Sequence, residues 1–470
     1  MALPAEFQTV APILGTAHPT GYPTYVILGF VANFLLTPLG EPAFRMNVFS
    51  LLCVAFAAAV TMRLVLRLTG SVAVGMAAGV GLTTTPVAWN LATHADPHTL
   101  HLALVAVLFA ALVRWEHARR DGQAMADRWL ILAAGIFGLS AANHSLTLLL
   151  AVPVGLYVLS VQPGVIVRPR LFGVCLLALI GALVVPYLEL PLRAADGPFK
   201  AALVYGRPDT WDGFWSIALA EQFRGSLADP LGDLPRKVGE LGGLAAAQFG
   251  LLAALIPVGF LATVVRHPRF ALLTGTAMLV TVLFNASYSN ADIGRYYLGP
   301  VLWTWAWLGI LAGIVVEQVG SERRRVGSAR AVTATVLAGA LLLPAAVDFG
   351  ARSAAADRSG DTSARAWVTA ALAGMEEDAV VVSWWGLSTV LWYARHVDGL
   401  RPDLTIIDDR TRLDLGYGEA TDVIARFLGT RPVYVIRAND ADLALVEARY
   451  VLMSISNEPA PDVYRVVRER

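Results

Sequence analysis

The sequence predicts an α-helical polytopic membrane protein carrying a small C-terminal α/β domain on its extracytoplasmic side. Three observations predict it. With 56% hydrophobic and only 15% charged residues, and a mean hydropathy of +0.59, the 470-residue chain is too apolar for a water-soluble protein of its size. Apolar runs of about 20 residues, the length that crosses a bilayer, recur between residues 44 and 347 and are separated by arginines or polar clusters. After Asp348 they give way to short β-branched runs alternating with helical ones. The 36 basic and 36 acidic residues cancel, which gives no reason to expect a nucleic-acid partner. Cys53 and Cys175 lie inside apolar runs and read as packed thiols rather than a disulfide or a metal pair. The first residues show no signal-peptide pattern.

Residues 1–43 hold a polar stretch followed by an apolar segment, 25–39, which Asn33 and Pro38 interrupt. That segment is short for a span and is expected to lie along the interface. Residues 44–68 form the first span, closed by Arg63, Arg67 and Gly70, and residues 71–93 return. A polar knot from Thr93 to His98 precedes a span over 99–113. Residues 129–160 exceed one span and have Asn143-His144-Ser145 at their centre, which predicts two short helices meeting at a polar corner. Spans over 171–190, 241–265, 270–287, 297–319 and 331–347 complete about ten, with a long polar loop, 193–240, among them.

Basic residues stay on the cytoplasmic side of short loops. Strict alternation follows when Arg63/Arg67, Arg119/Arg120/Arg128, Arg168/Arg170, Arg266/Arg269 and Arg323/Arg324/Arg325/Arg330 share that side. Every polar cluster then falls on the outer face. The expected parts are 1–43, an outer-face loop with its interfacial helix; 44–348, the membrane domain; and 349–470, the α/β domain. In the last, residues 379–384, 404–409 and 432–436 read as strands, 389–396 and 421–428 as helices, and 450–455 and 463–467 as edge strands. No glycine-rich phosphate fingerprint is present.

Polar residues in so apolar a chain need a reason. Glu6 is the only acidic residue before Glu41, and one carboxylate can take a proton from an acceptor hydroxyl. Arg45 and Asn47 open the first span, where the arginine suits either an interfacial anchor or a phosphate contact. His94, His98 and His101 have helical spacing, but Pro97 is expected to start a helix capped by Asp96, which favours a polar rim over a metal site. Asn143 and His144 fit a buried cavity or a surface corner equally well. Glu189 and Arg193 are expected to pair with each other. Asp292, Arg295, Tyr296 and Tyr297 put a guanidinium beside two phenols at a span's start, suited to a lipid-linked phosphate or to an interface belt.

Glu6-Phe7-Gln8, then His18-Pro19-Thr20-Gly21-Tyr22-Pro23, then Arg45-Met46-Asn47, resemble the bacterial family related to the vertebrate transmembrane protein O-mannosyltransferase, within the GT-C class of glycosyltransferases. The resemblance extends through residues 93–101, Asn143-His144, residues 292–300, Trp384-Trp385 and Asp408-Asp409-Arg410. It implies a GT-C-like fold at the plasma membrane and transfer of a sugar, mannose by the family's example, from a polyprenyl-phosphate donor to a protein or glycan acceptor outside the cell. It assigns catalysis to Glu6 and His18 and the donor phosphate to Arg45, Arg295 and Tyr296. Tyr22, Asn47, His94, Asp96, His98, Asn143, His144 and Asp292 would line the substrate cavity. No metal or cofactor is implied, the lipid-linked sugar being a substrate and membrane lipid the other partner. The family carries an Asp three residues before its Glu-Phe pair, after a further helix; Leu3 stands there in this chain. The expectation is a start inside a longer reading frame, the alternative being a member that has lost its catalytic Asp and serves as an inactive partner. A transporter of lipid-linked sugars is the reading from another class, although no inverted repeat supports it.

Overall fold

Proline, glycine and a few capping side chains punctuate the helices of this chain. The computed structural model describes residues 2–288, 292–322, 326–436, 439–455 and 462–470. Arg323, Arg324 and Arg325, expected on the cytoplasmic side, lie outside the described residues.

Among the described residues, seven helices are long and apolar enough to cross a membrane, or eight if the bent pair Val72–Thr84 and Pro86–Ala92 is one span. The 64° bend in that pair falls at Pro86, which has no N–H for the helical ladder. Thr85 caps the break on one side, its hydroxyl donating to Gly81 O and accepting from Trp305 Nε1, while Arg352 Nη1 donates to Thr84 O at 2.7 Å. The expected ten spans include two that are helical but shorter: Asp127–Asn143, of 17 residues, and Ser145–Val161, which meet at the Asn143-His144 corner. The segment expected along the interface is the helix Pro23–Leu35, which exposes Phe30, Val31, Phe34 and Leu35.

The chain divides into two units: residues 1–47, 189–221 and 357–470 form the first, and 48–188 and 222–356 the second. The expected boundaries therefore shift, because the opening residues and part of the long polar loop pack with the C-terminal segment.

In the second unit the buried Pro97–Arg120 helix starts as expected: Pro97 takes its first position and Asp96 caps it, accepting from His98 N at 2.7 Å. The helices Asp127–Asn143 and Pro169–Tyr187 pack so closely that a Cβ on Gly138 would stand 2.1 Å from the backbone oxygen of Leu179. One turn away, a Cβ on Gly135 would meet only Ala178 O, at 4.0 Å.

In the first unit a five-stranded sheet comprises β1 (Val380–Val382), β2 (Thr405–Ile407), β3 (Val433–Ile436), β4 (Tyr450–Ser454) and β5 (Val463–Glu469) in the order β2-β1-β3-β5-β4. The first three are parallel, and β5 pairs antiparallel with both β3 and β4. Of the two expected edge strands only β4 is one; β5 is interior because β4 folds back over it. Arg401 ties the domain together, donating to Leu372 O, Met375 O and Glu376 O and pairing with Asp403 at 2.8 Å.

Two predictions follow from this packing. Gly138→Ala destabilises the full-length protein by about 1–3 kcal/mol, whereas Gly135→Ala is tolerated; thermal unfolding in detergent reads the difference. The Arg401 guanidinium holds the Asp403 carboxyl down at about 2, against an ordinary value of 3.8. Its contribution is thus complete above the ordinary value and is lost as pH falls through the lower one. Asp403→Asn therefore melts earlier than wild type at neutral pH, and the gap closes as the acid is titrated from about pH 4 to about pH 2.

Candidate active site

Two constellations emerge, one in each unit. In the first, the Ala2–Ile13 helix carries Glu6, only 1% exposed. The helix stops at Leu14 in the left-handed region, and Arg193 covers its end, donating from Nε to Leu14 O at 2.7 Å and from Nη2 to Ile13 O at 3.3 Å. Arg193 is therefore committed to that helix end and makes no hydrogen bond with Glu189, whose oxygens are buried without a hydrogen-bond partner among the described residues. Glu189 and Arg193 thus interact only electrostatically, while the guanidinium serves as the helix cap.

The chain then doubles back through Thr16, whose N–H donates to Leu203 O and whose hydroxyl accepts from Tyr205 N at 2.6 Å. Gly21 turns it with φ +80° where a Cβ would press on the Leu190 methyls at 3.0 Å, so only glycine fits. This return lays His18 on Glu6. Oε1 accepts the His18 backbone N–H at 2.9 Å, and Oε2 meets His18 Nδ1 at 2.5 Å. Both carboxylate oxygens are engaged by one residue. Glu6 thereby fixes the imidazole and leaves Nε2, 3.4 Å from the Tyr22 hydroxyl, to face outward from the pair. Phe7 packs edge-on against Tyr22 and Tyr25, each with ring centroids 5.2 Å away.

Sequence reasoning gave no role to the C-terminal residues that meet this pair. Trp385 lies edge-on to His18, 5.5 Å between ring centroids. Asp408 and Asp414 line a small cavity together with Glu6, Thr16 and Tyr205. Asp408 Oδ1 accepts from Arg410 N and Thr411 N, whereas Oδ2 is buried without a partner among the described residues, and burial pushes this carboxyl above the usual range. The signals were the Trp384-Trp385 and Asp408-Asp409 doublets, whose second and first members point to this place.

Asn47 holds the opposite side of the same helix, accepting from Gln8 Nε2 at 2.9 Å. Arg45 donates to Gly40 O at 2.6 Å and to Asn33 O at 3.3 Å. Its guanidinium thus closes the end of the Pro23–Leu35 helix, a structural use.

In the second unit Asp96 is the hub. Its Oδ1 accepts from His98 N and meets His98 Nδ1 at 2.8 Å, its N–H donates to Ser50, and its Oδ2 lies 3.6 Å from Arg295 Nη1. Burial opposes ionisation, but His98 and Arg295 outweigh it and hold the carboxyl at about 2. Arg295, 9% exposed, also pairs with Asp292 at 2.7 Å, whose own side chain is 75% exposed. Around them the rings of His98 and His144 lie 4.6 Å apart, and Tyr296 stands 5.2 Å from the first and 5.8 Å from the second. Asn143 is drawn in by donating to Pro97 O at 3.0 Å, and the His144 Nδ1 accepts from Leu146 N. Asn143 and His144 are thus buried, not set at an exposed corner. His94 is half-buried nearby, and burial lowers its basicity. Among the described residues no three His, Cys, Asp or Glu side chains converge as a metal would need.

The family model described as the protein O-mannosyl-transferase TMEM260 N-terminal domain matches residues 4–164. The Mus musculus protein O-mannosyl-transferase TMEM260 is 27% identical over 427 residues, covering 86% of this chain and 58% of that protein. The chain thus spans less than two thirds of that relative's length. ArnT from Cupriavidus metallidurans matches with a TM-score of 0.60 when bound to undecaprenyl phosphate and 0.63 in the apo state. The identities are 15% and 13%, over 98% of this chain and 93% of that one. The Archaeoglobus fulgidus oligosaccharyltransferase tethered to an acceptor peptide matches at a TM-score of 0.55 and 13% identity, over 95% of this chain and 67% of that one. The chain is related to the TMEM260 protein O-mannosyl-transferases and has the multi-span helical fold, with a small strand-containing C-terminal region, of the GT-C glycosyltransferases.

Proposed function

We propose that this chain is a membrane glycosyltransferase that moves mannose from a polyprenyl-phosphate donor to a hydroxyl of a protein or glycan acceptor on the extracytoplasmic face. The observation that carries this reading is the buried Glu6–His18 pair, in which the carboxylate is fully occupied in holding an imidazole. Such a pair is a general base: the acceptor O–H gives its proton to Nε2, and Glu6 stabilises the imidazolium that results. The acceptor oxygen forms its bond to the anomeric carbon as the bond from that carbon to the phosphate oxygen breaks. The electron pair leaves with polyprenyl phosphate.

In the second unit, Arg295 and Tyr296 are the groups suited to a donor phosphate. Arg295 has one buried partner, Asp96, and one exposed partner, Asp292, and an exposed ion pair is weak enough for a phosphate to replace it. Asp96 keeps the guanidinium oriented during that exchange. A relative named as an O-mannosyl-transferase and a structural neighbour that holds undecaprenyl phosphate support the sugar and the donor. The arginines at the Arg63, Arg119, Arg168 and Arg266 ends support the outward orientation of the opposite ends.

Purified protein in lipid, given polyprenyl-phosphate-mannose and membrane acceptors, is expected to transfer mannose. His18→Ala is expected to lower kcat by about 100-fold or more, and Glu6→Gln to lower it as well. Arg295→Ala raises the donor KM. Equal transfer by wild type and all three variants would show that these residues do not carry the reaction.

A further inference from the structure

The C-terminal sheet contains a feature that the transfer reaction does not use. The chain leaves β1 for β2 on one side and returns to β3 on the other, so the carboxyl ends of β1 and β3 diverge at a topological switch point. Open α/β sheets bind ligands in such crevices. Here the crevice is a cavity of about 360 Å³, within the range of small-molecule sites. Val382, Val435 and Val446 form an apolar floor, while Trp384, Asp409 and Asp442 are among the groups that line the rest.

The charge of the lining limits what can enter. Among the described residues that line it, Asp409, Glu419 and Asp442 supply three carboxylates and Arg412 a guanidinium already paired with Glu419 at 3.1 Å. Phosphates and nucleotides are repelled, in keeping with the missing phosphate fingerprint. A ligand rich in hydroxyl donors and lacking net charge suits the site: carboxylate oxygens accept from paired hydroxyls, and the half-buried indole of Trp384 offers a flat apolar surface to the C–H face of a pyranose. We propose that this cavity is a binding site for a neutral carbohydrate.

Its position gives the site a connection. Trp384 and Asp409 line the cavity, and their chain neighbours Trp385 and Asp408 reach His18 and the cavity shared with Glu6. Asp409 also accepts the Trp385 N–H at 2.6 Å, locking the two turns together. A sugar seated on Trp384 is thus one residue from the side chain that flanks His18. The site itself is read from the cavity alone and stands whether or not the Glu6–His18 pair performs transfer.

The test is direct binding to the full-length protein in nanodiscs, using mannobiose and maltobiose as probes and tryptophan fluorescence and calorimetry as readouts. At least one disaccharide is expected to bind saturably with a Kd on the order of 1 mM. Trp384→Ala and Asp409→Asn should each weaken it about tenfold or more, Trp384→Phe should retain most of it, and Glu6→Gln should leave it unchanged. Inorganic phosphate should not compete. Absence of saturable binding up to about 50 mM overturns the proposal. So does binding that survives both cavity variants, binding lost with Glu6→Gln alone, or a site that takes spermidine in preference to either sugar. If a variant misfolds by circular dichroism, protection of the 411–427 segment from hydrogen exchange by disaccharide in wild type decides the matter: protection supports the site and its absence refutes it.

Discussion

The first unit depends on one carboxylate being paid twice by the same residue. Glu6 is buried, where an unpaired charge would cost several kcal/mol, and His18 answers both of its oxygens, one through the backbone and one through the ring. That arrangement is possible only if the chain reverses within a dozen residues. The reversal in turn requires the guanidinium of Arg193 at the helix end, the Thr16 contacts with the 203–205 segment, and a glycine at position 21. Each of these is a small local requirement. Together they fix where an imidazole nitrogen can act.

The second unit repeats the principle in another form. Asp96 is a helix cap first, and because a cap has a second oxygen it can also steady His98 and Arg295. A residue needed to start a buried helix therefore also positions a cation. Asp292, exposed on the other side of that cation, takes no part in starting that helix.

Much of this was legible in the sequence. Helix positions followed from apolar runs, the start at Pro97 from a proline after an aspartate, and the broken corner from Asn143-His144 within an overlong run. Glu6 and His18 were legible as chemistry but not as a pair, because a return of twelve residues leaves no periodic trace. Arg45, Arg193 and Arg295 look alike in the sequence. They separate only in three dimensions, where two of them close helix ends and the third is held by carboxylates. The packing of residues 357–470 with residues 1–47 was invisible for a deeper reason: contacts between the two ends of a chain leave no mark on local composition.

That first unit is assembled from three stretches of the chain, the last of them residues 357–470. During synthesis the helix bearing Glu6 emerges before the intervening spans and must wait through their insertion before Trp385 and Asp408 exist. Ribosomes add roughly 5–20 residues per second, so the wait is tens of seconds. Until then the loop lacks its aromatic neighbour and its second carboxylate. A nascent chain thus carries Glu6 and His18 without the surroundings that complete them, and maturation of the pair waits for residues 357–470 to be made.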